Sequence, residues 1–480
     1  MIKYVKFVVM MLFFTVCIVS PVYAEASWDI QTLSEDAAFL GYGFCPIEVD
    51  SKGNPHIAYT GSAIGNYVGY VSWNGSGWDS QKITGGNIDD FVLDANDNPH
   101  ITYGSLGYLS WNETQWNDQL ITTEKTVYSS LALDSNGNPH VAYITGDKLK
   151  YATKNDQNWT IQTVTTDKLP DDNPRFSLAL DSNDTPYIMY QVRPPVELKL
   201  AVLKNSSWSI ENILPSSNFT RLGNMILDSK DQPHFLAKQV LTPEGSETHI
   251  SNVVYVLWNG SSWNTQTVTS DVSLTNLGLL RLDSDDRPHI LHVISSGQLM
   301  YSRWTDTKWE SHLVGGYALD KSLSEYSIAL DSNKNPHISF QKLDTSSANT
   351  TFNLMYATAE LPPIITVSIS LPENKTYTTN EISLTFATNN QTSIVYSLDG
   401  TTNVSITENA TLTGLSNGVH NLVVYALDEN GKVGAFDTVY FTVDVPELPL
   451  FTIAVIVVLI IVCAALLIFF KTRKHTSQNQ

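Results

Sequence analysis

The stretch LALDSNGNPHVAY, Leu131 to Tyr143, decides the fold, because the chain carries it in seven versions. The others are IEVDSKGNPHIAY from Ile47, FVLDANDNPHITY from Phe91, LALDSNDTPYIMY from Leu178, MILDSKDQPHFLA from Met225, LRLDSDDRPHILH from Leu280 and IALDSNKNPHISF from Ile328. Their aspartates are Asp50, Asp94, Asp134, Asp181, Asp228, Asp283 and Asp331, spaced 40 to 55 residues apart. Six copies place a histidine six residues after the aspartate: His56, His100, His140, His234, His289 and His337. The fourth has Tyr187 there. Alternating apolar positions before the aspartate, a turn signal after it and a β-prone run after the proline read as a hairpin. A second hairpin follows, as in YVSWNGSGWDSQKI and MYSRWTDTKWESHLV, and holds the tryptophans. Four antiparallel strands repeated at this period predict a seven-bladed β-propeller over residues 25–359.

The ends predict how it closes. The seventh repeat runs from NLMYAT into LPP without an outer strand, whereas SWDIQTL, Ser27 to Leu33, matches the outer strand NWTIQTV of the third. The N-terminal strand is expected to complete the last blade and leave no open edge.

The inner hairpin resembles the D-x-x-G-N-hydrophobic pattern of NHL-type propellers, and the layout is similar to cell-surface propellers of archaea and bacteria. The resemblance covers residues 27–359 and implies fold and exposure. The Gly-His dipeptide of WD40 repeats and the Asp-box of sialidases are missing, and Trp-Asp occurs only at Trp28–Asp29 and Trp78–Asp79 rather than in each repeat. Residues 360–445 change to short alternating strands and are expected to form an immunoglobulin-like sandwich without its cysteines and tryptophan. YSLDG (396–400) and GLSNGVHNLVVYALDENG (414–431) resemble modules that precede the anchor of archaeal surface proteins, which implies a stalk.

Residues 1–24 read as a secretory signal: Lys3 and Lys6, an apolar run, then VYA. Residues 446–470 are expected to be a linker and a transmembrane helix. Leu450 to Phe470 is a charge-free run of 21 residues, long enough as a helix for roughly 31 Å. Lys471, Arg473 and Lys474 in the tail 471–480 place it in the cytoplasm. The expectation is a single-pass protein of the plasma membrane and cell surface, its bulk outside. Without signal and tail the chain has 23 basic against 48 acidic residues, net −25, which excludes a nucleic-acid partner. Cys45 is alone in the exported part, so no disulfide forms within it. Sequons at Asn74, Asn112, Asn205 and Asn259 fall in the outer hairpins, and eight more are spread over the chain, predicting a glycosylated exterior.

The repeated Asp and His are expected to be structural: the carboxylate accepts turn N–H groups and the histidine faces a neighbouring blade. Equivalent positions around a wheel cannot converge on one ion, so neither metal nor cofactor is expected. The tryptophans, Trp73, Trp78, Trp111 and Trp116 among them, are expected to pack between blades. One asymmetric candidate remains. Arg175, Arg193 and Arg221, half the arginines of the exported part, fall in adjacent loops of the fourth and fifth blades, near Glu197. Together they would clamp a carboxylate or sulfate, unless each pairs with Asp171, Asp172 or Glu197. No catalytic motif is present. The expected function is recognition of a glycan, a surface polymer or a surface protein. The alternatives are an enzyme on anionic sugar, of sialidase-like or lyase-like type, and a structural coat glycoprotein.

Overall fold

The computed structural model describes residues 27–37, 44–61, 65–155, 158–170, 175–192, 196–214, 219–241, 250–270, 277–318, 326–344, 351–389, 393–427, 431, 433–446, 455 and 457–468. The described chain is all-β apart from one short helix, in two compact units, residues 1–362 and 363–480. This division lies within three residues of the composition change after LPP.

The third repeat shows how the sequence builds a sheet. Thr126–Leu133 pairs antiparallel with Pro139–Thr145, then Lys148–Asn155, then Asn158–Thr165. Asp134 ends the first strand. Pro139 opens the second, where a missing N–H costs no ladder bond. Between them the residue three after the aspartate has positive φ: Gly53 and Gly137 in two repeats, Asp97, Asp184, Asp231, Asp286 and Lys334 in the rest. Glycine adopts this conformation freely, and aspartate is among the side chains that tolerate it best.

Among the described residues seven such sheets follow one another, and their first strands touch in a closed cycle. Ile47–Val49 touches Ile88–Leu93, and the contacts pass through Thr126–Leu133, Phe176–Leu180, Phe219–Leu227, Leu279–Leu282 and Tyr326–Leu330 back to Ile47–Val49. The arrangement is propeller-like, with an axis inside the ring. The seventh sheet takes its outer strand from Asp29–Ala37, which pairs with Thr351–Thr358 from Asp29↔Thr358 to Ala37↔Phe352. It starts two residues later than the SWDIQTL match and runs on to Ala37, where it bridges Gly61 of the first repeat.

Every pair of adjacent repeats shares an apolar cluster. Tyr70 and Phe91 lie in the one between repeats 1 and 2, Tyr108 and Val141 between 2 and 3, and Ile144 and Ile188 between 3 and 4. The series continues with Leu200 and Phe235, Leu236 and Ile290, then Tyr301 and Phe340, and ends on Tyr356 and Ile57 between repeats 7 and 1. Burying apolar area at about 25 cal/mol per Å² around a whole ring supplies the stability that disulfides do not.

The second unit has two sheets. One joins Val367–Leu371, Ile382–Thr388 and Ala410–Leu412; the other joins Thr376–Tyr377, Val433–Val443, Gly418–Leu427, Ser393–Leu398 and Val404–Ile406. Leu384, Leu412, Leu422, Val424 and Phe441 form their shared core. Farther along, Val455 and residues 457–468 are helical, and the exposed side chains include Leu459, Ile461 and Leu467. No helix among the described residues is long and apolar enough to cross a membrane. Both ends of the run 450–470, the leader 1–24 and the tail 471–480 lie outside the described residues.

Candidate functional site

The repeated aspartate folds its own turn. Asp134 Oδ1 accepts the N–H groups of Asn136 and Asn138 at 2.9 and 2.7 Å, and Oδ2 accepts the Asn138 amide at 2.8 Å. Asp50, Asp94, Asp181, Asp228, Asp283 and Asp331 accept turn N–H groups in the same manner. The histidine makes its hydrogen bonds inside its own sheet, on the face that looks at the next repeat. His140 Nδ1 lies 2.5 Å from the Tyr151 hydroxyl of the third strand, and its Nε2 lies 3.7 Å from Asp134. His56–Tyr70, His100–Tyr108, His234–Tyr255, His289–Tyr301 and His337–Tyr356 repeat the pairing. Side chains two apart along a strand share a face, so paired strands bring histidine and tyrosine together.

Burial sets the protonation of these groups. It pushes His140 below the ordinary histidine range against the pull of Asp134, and pushes the Tyr151 hydroxyl up. Burial also opposes the charge on Asp134, but the hydrogen bonds from Asn138 and Asn136 outweigh it and hold that carboxyl down. The tyrosine ring then meets a tryptophan of the next repeat edge-on. Centroids are 5.5 Å apart for Tyr70–Trp116, 5.3 Å for Tyr151–Trp208 and 5.0 Å for Tyr356–Trp78. Trp28, on the closing segment, takes this place against Tyr301 at 5.9 Å. Trp73 and Trp111 lie against Trp78 and Trp116. Trp78, Trp116 and Trp208 thus pack between repeats, whereas Trp73 and Trp111 pack within their own hairpins.

Two further rings escaped the sequence reading. Four residues before the aspartate, a polar side chain bonds the backbone N–H of the next repeat. Asp90 accepts from Leu131, Ser130 from Leu178, Ser177 from Met225, Asn224 from Leu280 and Ser327 from Ile47. On the turns, Ser51, Ser135, Ser182 and Ser229 bond Asp97, Asp184, Asp231 and Asp286 of the following repeat. The signal was legible as columns of small polar residues.

The asymmetric groups gather on the axis, in two layers. Near the turns, Arg281 of repeat 6 reaches past repeat 7, where the matching residue is Ala329, and bonds Glu48 of repeat 1 at 3.2 Å. Burial raises the Glu48 carboxyl, with Arg281 opposing. Nearer the other end of the inner strands, burial pushes Asp90 up to about 6 and Asp89 up to about 7, although Asp89 accepts from Ser129 at 3.1 Å.

At that far end lie Arg175 and Arg221. Gln191, 2% exposed, ties the backbone of Arg175 to that of the residue before Arg221: its N–H donates to the Arg175 carbonyl at 3.2 Å and its amide to the Thr220 carbonyl at 3.1 Å. Lys238 is cross-strand from Arg221 and 4% exposed. Burial and then Arg221 push the pKa values of both Arg175 and Lys238 down. Tyr128 and Tyr326 also act on Arg175. Tyr326 belongs to repeat 7, opposite repeat 4 in the ring. The other described arginines face carboxylates: Arg281 on Glu48, Arg287 on Asp306 and Asp285, and Arg303 on Glu310. Glu197 does not join the cluster; it lies 3.8 Å from Lys199, which bonds Asp167. Arg193, Asp171 and Asp172 lie outside the described residues. Among those described, no group of His, Cys, Asp and Glu has the geometry to hold a metal.

In the outer hairpins Asn74, Asn112 and Asn259 are exposed turn residues, each accepting from the hydroxyl of its own sequon. Asn205 sits in a turn at φ 49°.

No protein-family model matches the chain. A segment of 86 residues is 37% identical to halomucin of Haloquadratum walsbyi, covering 16% of this chain and 1% of that protein's length. Among solved structures, a polysaccharide lyase that is an ulvan lyase is similar, with a TM-score of 0.46, 12% identity and coverage of 67% of this chain and 94% of the lyase. The Aleuria aurantia lectin, solved with Fucα1-6GlcNAc, gives 0.41 at 10% identity, covering 58% of this chain and all of the lectin. A Dyadobacter fermentans protein gives 0.41 at 8% identity, covering 70% and 99%. At these values none of them assigns a ligand to this chain.

Proposed function

We propose that the chain is an extracellular recognition protein. A seven-bladed propeller, on an immunoglobulin-like stalk and a membrane helix within 450–470, binds a glycan, a surface polymer or a surface protein at one axial mouth. One observation carries this reading: Arg175, Arg221 and Lys238 gather at one end of the inner strands of a strongly acidic chain. Among the described residues, other polar groups hold the ring together. Turn serines and aspartates bond each other, and tryptophans such as Trp116 and Trp208 fill the seams between repeats. A ligand site needs a few polar groups brought to one place, and that mouth gathers three cations.

The experiment is a binding and turnover screen of the detergent-purified full chain against neutral and acidic polysaccharides. Binding without product supports recognition; silence on every polymer argues against a glycan or polymer ligand. The second reading is an enzyme on anionic sugar, favoured by Asp89 and Asp90, carboxyls poised near neutral pH beside the same axis. Released sugar that disappears with Asp89→Asn would establish it in place of recognition.

A further inference from the structure

We propose that the outer face of the five-stranded sheet in the second unit docks a second copy of this chain. Register defines the face. Along Gly418–Leu427 and Val433–Val443 the pairs Leu422↔Val439 and Ala426↔Ala435 point into the shared core. The alternate pairs Val419↔Thr442, Asn421↔Tyr440, Val423↔Thr438 and Tyr425↔Phe436 therefore point away from it. Val419 is 73% exposed, Tyr440 55% and Phe436 52%. The Tyr425 and Phe436 rings lie 6.2 Å apart and form an aromatic pair on this surface.

Three observations name the occupant. None of those paired side chains is an acid or a base at neutral pH, and the neighbouring strand Ser393–Leu398 has none anywhere along it. Outside signal and tail the chain carries 23 basic against 48 acidic residues, so two copies repel over most of their surfaces. An uncharged face is where they meet at least electrostatic cost. The outer face of the smaller sheet provides the contrast. It presents Ser368, Ser370, Ser383 and Thr411, all exposed, which suit water. An outer face of this unit thus folds without aromatic residues, and the larger sheet carries them for another reason. Finally, no N-x-Ser/Thr sequon falls within residues 418–443, so glycans attached elsewhere would leave the face bare.

The area fits a weak, reversible dimer. Strands of 10, 11 and 6 residues at about 3.3 Å per residue and about 4.8 Å apart give roughly 400 Å² per copy, about 800 Å² for a pair. Identical faces make an isologous contact about a two-fold axis, with the strands of the two sheets crossing at about 30°. The apolar run 450–470 begins seven residues beyond Val443. Copies anchored through it in one bilayer share a thin layer, which raises their effective concentration. That last step rests on the anchored reading proposed above; the face itself does not.

The test is sedimentation equilibrium of the detergent-purified full chain over a range of concentrations. The expected result is a reversible monomer–dimer equilibrium. Phe436→Lys and Tyr440→Lys each put like charges on both sides of the contact and should weaken it about tenfold or more. Ser383→Lys, on the outer face of the smaller sheet, should leave it unchanged. All three side chains are exposed, so each variant should melt within a few degrees of wild type. A monomer at every concentration overturns the proposal. So does a dimer that ignores Phe436→Lys and Tyr440→Lys, which is joined elsewhere, and so does one that Ser383→Lys weakens equally. The reading it rests on is scored separately. A chain that dimerises through this face but does not float with lipid vesicles keeps the interface and removes the anchor. Polymer binding by a strictly monomeric chain keeps recognition and removes the interface.

Discussion

At the scale of single residues, the repeated aspartate and histidine are structural, and their protonation predicts how stability follows pH. Asp134→Ala strips two turn N–H groups and a side-chain amide of their acceptor. It should cost about 1–3 kcal/mol by denaturant unfolding while leaving any ligand affinity unchanged. His56, His100, His140, His234, His289 and His337 all have pKa values lowered by burial. The unfolded chain takes up protons below its ordinary histidine pKa that the fold refuses, so this contribution is present at neutral pH and lost as pH falls. Asp89 has the opposite sign. Its folded pKa of about 7 lies above the unfolded value, so its contribution is full at low pH and is lost as pH rises toward 7. Asp90, raised to about 6, and Glu48 act in the same direction as Asp89, but six histidines outnumber three carboxyls, and the melting temperature should fall from pH 7 to pH 5. Asp89→Asn removes one opposing contribution and should steepen that fall; a flatter profile would contradict the assignment.

At the scale of elements, the unit is the Asp–His–Tyr chain of one repeat with the tryptophan of the next. Repeat 4 shows that its parts change together. Where Tyr187 replaces the histidine, the tyrosine position holds Leu200, and Trp263 of the next repeat turns to Phe235 instead. Copying that pair as His140→Tyr with Tyr151→Leu should destabilise by less than the sum of the single changes, with a coupling of about 1 kcal/mol in a double-mutant cycle. Additive costs would mean that His140 and Tyr151 act independently. The closing strand is the second test. Deleting residues 27–33 removes the strand start paired with Met355–Thr358 and leaves Tyr301 without Trp28. The exposed edge should lower the melting temperature and promote aggregation, which static light scattering detects. An unaltered melting curve would show that the seventh sheet does not depend on that strand.

At the scale of the whole molecule, the two compact units have separate cores. Calorimetry of the chain should show two transitions. Cutting between residues 362 and 363 should leave the melting temperature of each unit within a few degrees of its value in the intact chain. Within the first unit, stability is shared among seven seams of similar make-up, so no single seam holds the ring. The cationic corner at Arg175, Arg221 and Lys238 is where one seam departs from the rest.

The sequence by itself determined the number of repeats, their strand order and the strand that closes the ring. Those properties follow from local rules: the period of two along a strand, an aspartate that caps its own turn, a proline where no ladder bond is needed, and a terminal segment matching a missing piece. Arg175 and Arg221 were also visible, as rare residues in adjacent loops. Only the tertiary structure decided the rest. It turned the histidine toward Tyr151 in its own sheet, because that choice depends on the register between second and third strands. It gave Glu197 to Lys199, and it brought in Lys238, which belongs to another strand from the arginines. It joined Arg281 to Glu48, residues 233 apart, across an axis that exists only once the ring has closed. Side-chain partners across a seam are set by distances through space, and a linear sequence carries no such distances until the repeats have packed.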